Sequence, residues 1–339
     1  MSGNTSLPSV SILIPTLNAA RVLGECLASI RAQDYPSELV EIIVADGGSR
    51  DATLEVARQY TDKLFPNPLQ TGEAGKAVAL RQAQRDIVAL IDSDNVLPHS
   101  SWLREMVAPF ADESIVATEP LEYTWRPQDG LITRYCALMG MNDPLCLFLG
   151  NYDRLNRITR KWTEVPVAEE DCGPYIKVTF PTGRVPTMGA NGFLVRREAL
   201  ASCAIGDYLF DIDVAYALAR RGHAFAKVKT GIVHLFSGNV AAFARKQRRR
   251  IRDFRYYGAT GLRQYPWTSL PYRRLAKFVA YTVTGVPLLV QALRGHRRHP
   301  DVAWLFHPLA CWITLWVYGT ETVRGFLVAK PQSREQWGQ

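Results

Sequence analysis

Three short apolar runs in the first hundred residues each end abruptly in a polar cluster, and this pattern restricts the fold more than any other feature of the chain. Val10–Ile14 runs into PTLN at residues 15–18, Leu39–Ala45 into DGGSRDAT at 46–53, and Ile87–Ile91 into DSDN at 92–95. A short apolar run without polar alternation is how a strand buried on both faces reads. Between the runs, Val22, Leu23, Cys26, Leu27 and Ile30 recur at helical spacing, and a second helix with Leu54 and Ala57 is expected from near Ser49. Further helices are expected after Gly75 and after Pro98. The βαβαβα order predicts an α/β fold with a mostly parallel sheet and helices on both faces. Ligands bind such sheets beyond the carboxyl ends of the strands, so the three polar clusters should line one crevice.

Chemistry enters with DSDN. A turn leading to the Pro98 helix start explains one Asp or Asn, but Asp92 and Asp94, at i and i+2, repel one another unless something cationic lies between them. Mg²⁺ or Mn²⁺ is the natural candidate, because such ions take carboxylate oxygens and neutralise phosphate. No G-x-x-x-x-G-K-[ST] occurs and no G-x-G-x-x-G follows the first run, so P-loop and dinucleotide sites are excluded.

From Glu119 to Thr187 the periodicity weakens and an excursion of loops and short helices is expected. PTMGANGFLVRREAL, residues 186–200, then supplies a Gly-rich turn, a strand over Gly192–Val195 and a helix. YLFDIDVAYALARRGH, residues 208–223, predicts a helix entered through Asp211 and closed at Gly222. A strand near Lys227–His234, a very basic helix over Phe243–Tyr257 and two apolar segments, Leu275–Leu293 and Val302–Gly319, complete the chain.

The net charge of +8 is regional: from Arg245 to His299 there are 14 Lys/Arg against one acid, Asp253. That asymmetry points to an anionic membrane or a nucleic acid as a surface for this part alone. The six cysteines form no C-x-x-C pair, so neither a zinc site nor a disulfide framework is indicated, and a reducing compartment fits. The opening MSGNTSLPSV lacks the basic and apolar regions of a secretory signal.

Taken together, VSILIPTLN (10–18), IIVADGGSRDAT (42–53), GKAVALRQA (75–83), VALIDSD (88–94), GANGFLVRREAL (189–200) and DIDVAYALARRGH (211–223) resemble the inverting glycosyltransferases of family 2, of membrane-associated bacterial type, over about residues 8–255. The resemblance implies the GT-A nucleotide-diphospho-sugar transferase fold, followed by C-terminal membrane-associated helices. It implies a catalytic domain at 1–240 with an acceptor-side excursion at 119–187, a basic helix and connector at 241–274, and apolar helices and tail at 275–339. Pro15, Thr16, Asn18, Asp46, Lys76, Asp92 and Ser93 match donor-binding positions; Asp92 and Asp94, with His234, match those that meet the metal. Asp211 matches the catalytic base, although Phe210 replaces the Glu that commonly precedes it, which leaves Asp211 and Asp213 both open. Helix capping by either Asp, a helix N-terminal charge for Asp46, a solvated Lys76 and a structural His234 are the alternatives.

Asn191, Asp213, Gln247 and Arg250 are assigned to the acceptor and diphosphate side. KQRRRI at 246–251 resembles the Q-x-x-R-W of processive synthases, but Ile251 replaces Trp, which speaks against processivity. The expected reaction is metal-dependent transfer of one sugar from a nucleotide-diphosphate donor to a lipid-linked or membrane-presented glycan hydroxyl, in surface polysaccharide or glycolipid assembly, at the cytoplasmic face of the inner membrane. A polyprenyl-phosphate sugar synthase is the alternative within enzymes, and a basic nucleic-acid-binding protein or an inactive scaffold the alternatives outside them. No nucleic-acid partner is expected, since the basic stretch adjoins apolar segments instead of a reading module.

The apolar segments are long enough to cross a bilayer. A spanning hairpin, however, places Arg294, Arg297 and Arg298 on the far side, against the positive-inside tendency. Pro287, Gln291, His307 and Pro308 interrupt the segments, and Trp304, Trp312 and Trp316 suit an interface. Re-entrant or in-plane helices are therefore expected.

Overall fold

The computed structural model describes residues 7–236, 238–266 and 271–327. The N-terminal segment read above lies partly outside them, and the tail after residue 327 wholly so. The chain divides into two compact units: residues 1–121 with 165–234, and residues 122–164 with 235–339.

The first unit opens as the apolar runs require. β1 (Val10–Thr16) and β2 (Val40–Asp46) pair in parallel with Ile12 opposite Ile42, and β4 (Ile87–Leu90) joins the other side of β1, also in parallel. α1 (Ala20–Arg31) buries Leu23, Cys26, Leu27 and Ile30, the i, i+3, i+4, i+7 set read from the sequence. Each large apolar side chain so buried contributes about 1.5–3 kcal/mol. α2 (Thr53–Arg58), β3 (Leu64–Pro66) and α3 (Gly72–Gln82) complete the second crossover. α2 begins later than Ser49 because residues 46–51 form a hydrogen-bonded loop. Then come β5 (Asn95–Val96), α4 (Trp102–Val107) and β6 (Ile115–Thr124). α4 starts four residues after Pro98, where Trp102 is buried and its indole N–H donates to the Gly231 carbonyl.

The second unit begins with α5 (Leu131–Met139) and α6 (Leu145–Leu149), after which the chain returns to the first unit as the hairpin β7 (Ala168–Asp171) and β8 (Tyr175–Thr179). β9 (Phe193–Arg196), α7 (Arg197–Leu200), α8 (Asp211–Arg220) and β10 (Ala224–His234) follow. Among the described residues ten strands form one sheet, ordered β3-β2-β1-β4-β9-β6-β10-β8-β7, with β5 on β10.

The expectation of a mostly parallel sheet is corrected here. β3, β2, β1 and β4 run in parallel, whereas β9 is antiparallel to both β4 and β6, β8 is antiparallel to β10 and to β7, and β5 is antiparallel to β10. Parallel neighbours need a crossover of a dozen or more residues, and the three-residue turn from β7 to β8 permits only a hairpin. AEED in β7 is exposed throughout, so the hairpin has no apolar alternation to announce it in the sequence. Charge on such an edge also discourages pairing with another chain.

In the second unit, α5 and α6 share a core with α9 (Val240–Thr260), α10 (Tyr272–Thr284), α11 (Val286–Arg298) and α12 (Phe306–Leu327). Tyr135, Phe148, Phe243, Phe278, Leu288 and Trp304 meet there. Trp304, assigned above to an interface, is 1% exposed instead, because Gly295 leaves room for its ring: a Cβ at 295 would lie 2.7 Å from it. The first apolar segment is not one helix. It breaks at Gly285 (φ +72°), which Pro287 follows, and α10 and α11 meet at 92°.

Candidate active site

The crevice at the carboxyl ends of β1, β2 and β4 is built from backbone geometry first. Asp46 ends β2 with both carboxylate oxygens engaged: Thr16 Oγ1 and Ser49 Oγ donate to Oδ1 at 2.9 and 2.6 Å, and the Gly48 and Ser49 N–H groups donate to Oδ2 at 2.9 and 2.8 Å. Asn18, in the left-handed region at φ 50°, accepts from the Arg50 N–H and donates its own N–H to Ser49 Oγ. Asp46 therefore organises a rigid loop beside Pro15 and Thr16. The alternative of a helix N-terminal charge fails, since α2 starts at Thr53 and such an effect dies within the first turn.

α3 lies unusually close to β1. A Cβ at Gly75 would sit 2.8 Å from Pro15 Cβ, so only glycine allows this approach. The next residue is thereby carried into the crevice: Lys76 is 4% exposed, which overturns the reading of a solvated surface lysine. Its Nζ lies 2.8 and 3.0 Å from the two carboxylate oxygens of Asp211 and 3.2 Å from Asp92 Oδ1. Burial opposes its charge, yet Asp211, Asp92 and Glu73 hold the ammonium above its ordinary range.

Asp211 is the first residue of α8, not its cap; the cap is Phe210, without a side-chain hydrogen bond. Burial pushes the Asp211 carboxyl up to about 6, Lys76 partly opposing and Asp92 adding to the rise. Asp213, two residues further along the same turn, is buried. The Gly-rich turn predicted before β9 packs directly on this helix start. At Gly189 (φ +110°) a Cβ would come within 2.5 Å of the Asp211 carbonyl oxygen. Asn191, at φ 52°, is fixed by Asn95 Nδ2 at 2.9 Å, and Asn95 Oδ1 in turn accepts from the Asp92 N–H.

Asp92 and Asp94, with Ser93 between them, follow β4 and are partly exposed. The mutual repulsion that the sequence posed is relieved by separate partners. Asp92 faces Lys76, and Asp94 Oδ2 lies 3.4 Å from His234 Nε2. Antiparallel pairing of β5 with the end of β10, Asn95 opposite His234, brings that histidine in. The expected three-ligand set of Asp92, Asp94 and His234 is not assembled: among the described residues no three His, Cys, Asp or Glu side chains converge on one point. The cause is the buried ammonium of Lys76, which takes Asp92. What remains is a carboxylate and an imidazole at a separation that suits neighbouring ligands of one ion with bonds of about 2.1 Å.

Gln247 and Arg250 belong to the second unit. Gln247 is fully buried; its Nε2 and the Arg250 guanidinium both donate to the Asn142 carbonyl, and Tyr318 donates to Asp143 and Gln247. Sequence reading missed Asn95, Ser49 and the direct Lys76–Asp211 pair. It also missed a buried ion pair, Glu119–Lys227 at 2.8 Å, whose residue types read as surface positions.

Comparison with known proteins adds the following. A glycosyltransferase, AglE of Haloferax volcanii, is 29% identical over 144 residues, covering 40% of this chain and 47% of that protein. The poly(ribitol-phosphate) beta-N-acetylglucosaminyltransferase TarS of Staphylococcus aureus is 34% identical over 109 residues, covering 30% of this chain and 19% of its own length. The chain thus spans less than half the length of these two relatives. Among solved structures, the mannosyltransferase PcManGT from Pyrobaculum calidifontis, in complex with GDP-Man and Mn²⁺, superposes with a TM-score of 0.53 at 18% identity, covering 94% of this chain and 88% of that one. The mixed α/β sheet with helices accordingly resembles that of GT-A glycosyltransferases. The family match and these relatives support a glycosyltransferase. Residues 11–129, the stretch that carries Thr16, Asp46, Lys76, Asp92 and Asp94, are the part of the chain that matches the family described as Glycosyl transferase family 2.

Proposed function

We propose that this chain is a metal-dependent, inverting glycosyltransferase that moves one sugar from a nucleotide-diphosphate donor to a hydroxyl of a membrane-presented or lipid-linked glycan acceptor. The observation that carries this reading is the grouping, in one unit, of a buried lysine, a carboxylate tuned to about 6 and a separate Asp94–His234 pair. Asp92 and Asp211 already share the Lys76 ammonium, so a diphosphate entering beside these carboxylates and Asp94 calls for an accompanying divalent cation. Asp94 and His234 would hold Mg²⁺ or Mn²⁺ together with the donor's own phosphate oxygens, and the ion would supply neutralisation of the departing diphosphate. Pro15, Thr16, Asn18 and Asp46 would form the wall against the base, with Lys76, Asp92 and Ser93 towards the ribose and phosphates.

Asp211 would accept the hydroxyl proton as the acceptor oxygen bonds to the anomeric carbon. The bond to the diphosphate oxygen breaks on the opposite face, and the leaving group takes the electron pair. A carboxylate near 6 is a stronger base than an ordinary one yet still ionised at neutral pH. This favours a hydroxyl acceptor over a polyprenyl phosphate, which is already ionised and needs no base. Asn191 and Asp213, in the same unit as Asp211, would face the acceptor.

The basic helix speaks against nucleic acid, and the apolar helices of the same unit speak for a membrane. Arg248 and Arg252 pair with Glu321, and Arg255 donates to the Glu321 carbonyl, so much of its charge is spent within the unit. α11 turns Leu288 and Ala292 into the core and Val286, Leu289, Val290 and Leu293 outward. α12 likewise buries Ala310, Cys311 and Val317 while exposing Leu309, Trp312 and Trp316. Residues 302–325 are long and apolar enough to cross a membrane, but 44% of that window is buried. One-sided exposure of this kind suits helices lying in the cytoplasmic face of an anionic bilayer.

Two experiments test the proposal. A panel of UDP-, GDP- and dTDP-sugars is screened by thermal shift with and without Mn²⁺, then by turnover on lipid extracts. One donor at a hundred times its Kd should stabilise the protein by about 2.7 kcal/mol, and only with the ion present; no shift and no transfer for any donor would sink the assignment. For topology, Arg297→Cys in a background without the native cysteines is labelled in sealed vesicles by an impermeant maleimide. Labelling from the catalytic side is expected, and labelling only from the opposite side would establish a spanning hairpin.

A further inference from the structure

Glu119 on β6 and Lys227 on β10 form an ion pair whose side chains are 1% and 0% exposed. Burying two charges costs desolvation that their attraction rarely exceeds, and apolar residues of similar volume commonly replace such pairs without loss of stability. Stability is therefore a poor account of this pair, and its second contact supplies a better one. Lys227 engages Glu119 Oε2, while Oε1 accepts the backbone N–H of Gly189 at 3.0 Å. Gly189 is the residue whose Cα lies hard against Asp211: a Cβ there would come 2.5 Å from the Asp211 carbonyl oxygen and 2.9 Å from Asp211 Cβ. Its φ of +110° is a conformation that L side chains rarely adopt, so the turn needs an external anchor to hold one position.

We propose that the Glu119–Lys227 pair is a positioning device for the base: it fixes the Gly189 turn, and through that turn the height of Asp211 relative to Lys76 and the acceptor. The inference rests on the assignment of Asp211 as base. Lys227 compensates the burial of Glu119 by engaging Oε2; Glu119 Oε1 holds the Gly189 N–H; Gly189 fixes where the backbone of α8 begins. Neither charged residue touches substrate. A displacement of the base by about 1 Å is enough to cost roughly a hundredfold in rate.

The test compares two double variants in the full chain. Glu119→Leu with Lys227→Met removes the charges and the acceptor for the Gly189 N–H; Glu119→Gln with Lys227→Met removes the charges but keeps an amide oxygen for it. The Leu/Met protein is expected to lose about 30- to 100-fold in kcat with KM for the donor unchanged, and the Gln/Met protein to recover to within about threefold of wild type. Equal kcat in both variants, or a loss that appears in donor KM, overturns the proposal. If the Leu/Met protein does not fold, glycolic acid placed at position 189 replaces that amide by an ester and removes the same hydrogen bond alone, and its kcat is held to the same criterion. Failure of the functional assignment is distinguishable, because the wild-type protein would then transfer no sugar at all.

Discussion

Replacing Asp211 by Asn is expected to lower the turnover number by about 10²–10⁴-fold, the usual loss of a general base, while donor and metal affinity stay within a few-fold of wild type. The amide keeps the shape of the side chain, and Lys76 retains Asp92 at 3.2 Å, so the crevice does not collapse. A pH profile separates loss of the base from loss of structure. With the carboxyl at about 6, kcat/KM should fall tenfold per pH unit below that value, and this acidic limb should be absent in Asp211→Asn. Lys76 stabilises the ionised carboxylate, so Lys76→Met should move the limb to higher pH; a shift to lower pH would show that another group titrates. Asp213→Asn is the control. If it carries the loss in kcat and Asp211→Asn does not, the base is the second aspartate of the turn.

How much of this arrangement the sequence discloses depends on what enforces each part. Strands buried on both faces, β1 and β4, announce themselves as mostly apolar runs, and Ser11 is tolerated inside β1 because its hydroxyl donates to the buried Glu41 carboxylate. Asp46, Asp92 and Asp94 are found for the same reason, as polar residues where those runs stop. β7 escapes because an exposed acidic edge strand has no apolar face to display. The break at Gly285 is foreshadowed by Pro287, which interrupts the apolar segment in the sequence, whereas the 92° angle between α10 and α11 has no sequence signal. The Lys76–Asp211 pair joins residues 135 apart, and the glycine that seats Lys76 looks like any other helical glycine until Pro15 is placed beside it. Glu119 and Lys227 are harder still. Charged residue types are almost never fully buried unless paired, so each alone reads as surface, and only the sheet order β6-β10 makes them partners.

Asp94→Asn should abolish the Mn²⁺-dependent part of donor binding and leave the fold intact. Outer-shell partners of a metal are already worth about 10–100-fold in affinity, so removing a carboxylate that would bind the ion directly should cost more than about 100-fold. Stability should change by no more than about 0.5 kcal/mol, because Asp94 is partly exposed at a strand end and its loss opens no cavity. The neighbouring carboxylate predicts a contrast. Asp92 lies 3.2 Å from Lys76, so Asp92→Asn should weaken donor binding by a similar factor across the Mn²⁺ titration and leave the Mn²⁺ midpoint near that of wild type. His234→Gln should shift the Mn²⁺ midpoint in the same direction as Asp94→Asn, since its Nε2 is 3.4 Å from Asp94 Oδ2 and the two would share one ion. The measurement is donor affinity across a Mn²⁺ titration for the three variants, with turnover followed in parallel. Unchanged Mn²⁺ dependence in Asp94→Asn would remove the metal from this site. A midpoint shifted by Asp92→Asn but not by His234→Gln would move the ion towards Lys76, where a cation has the least reason to bind.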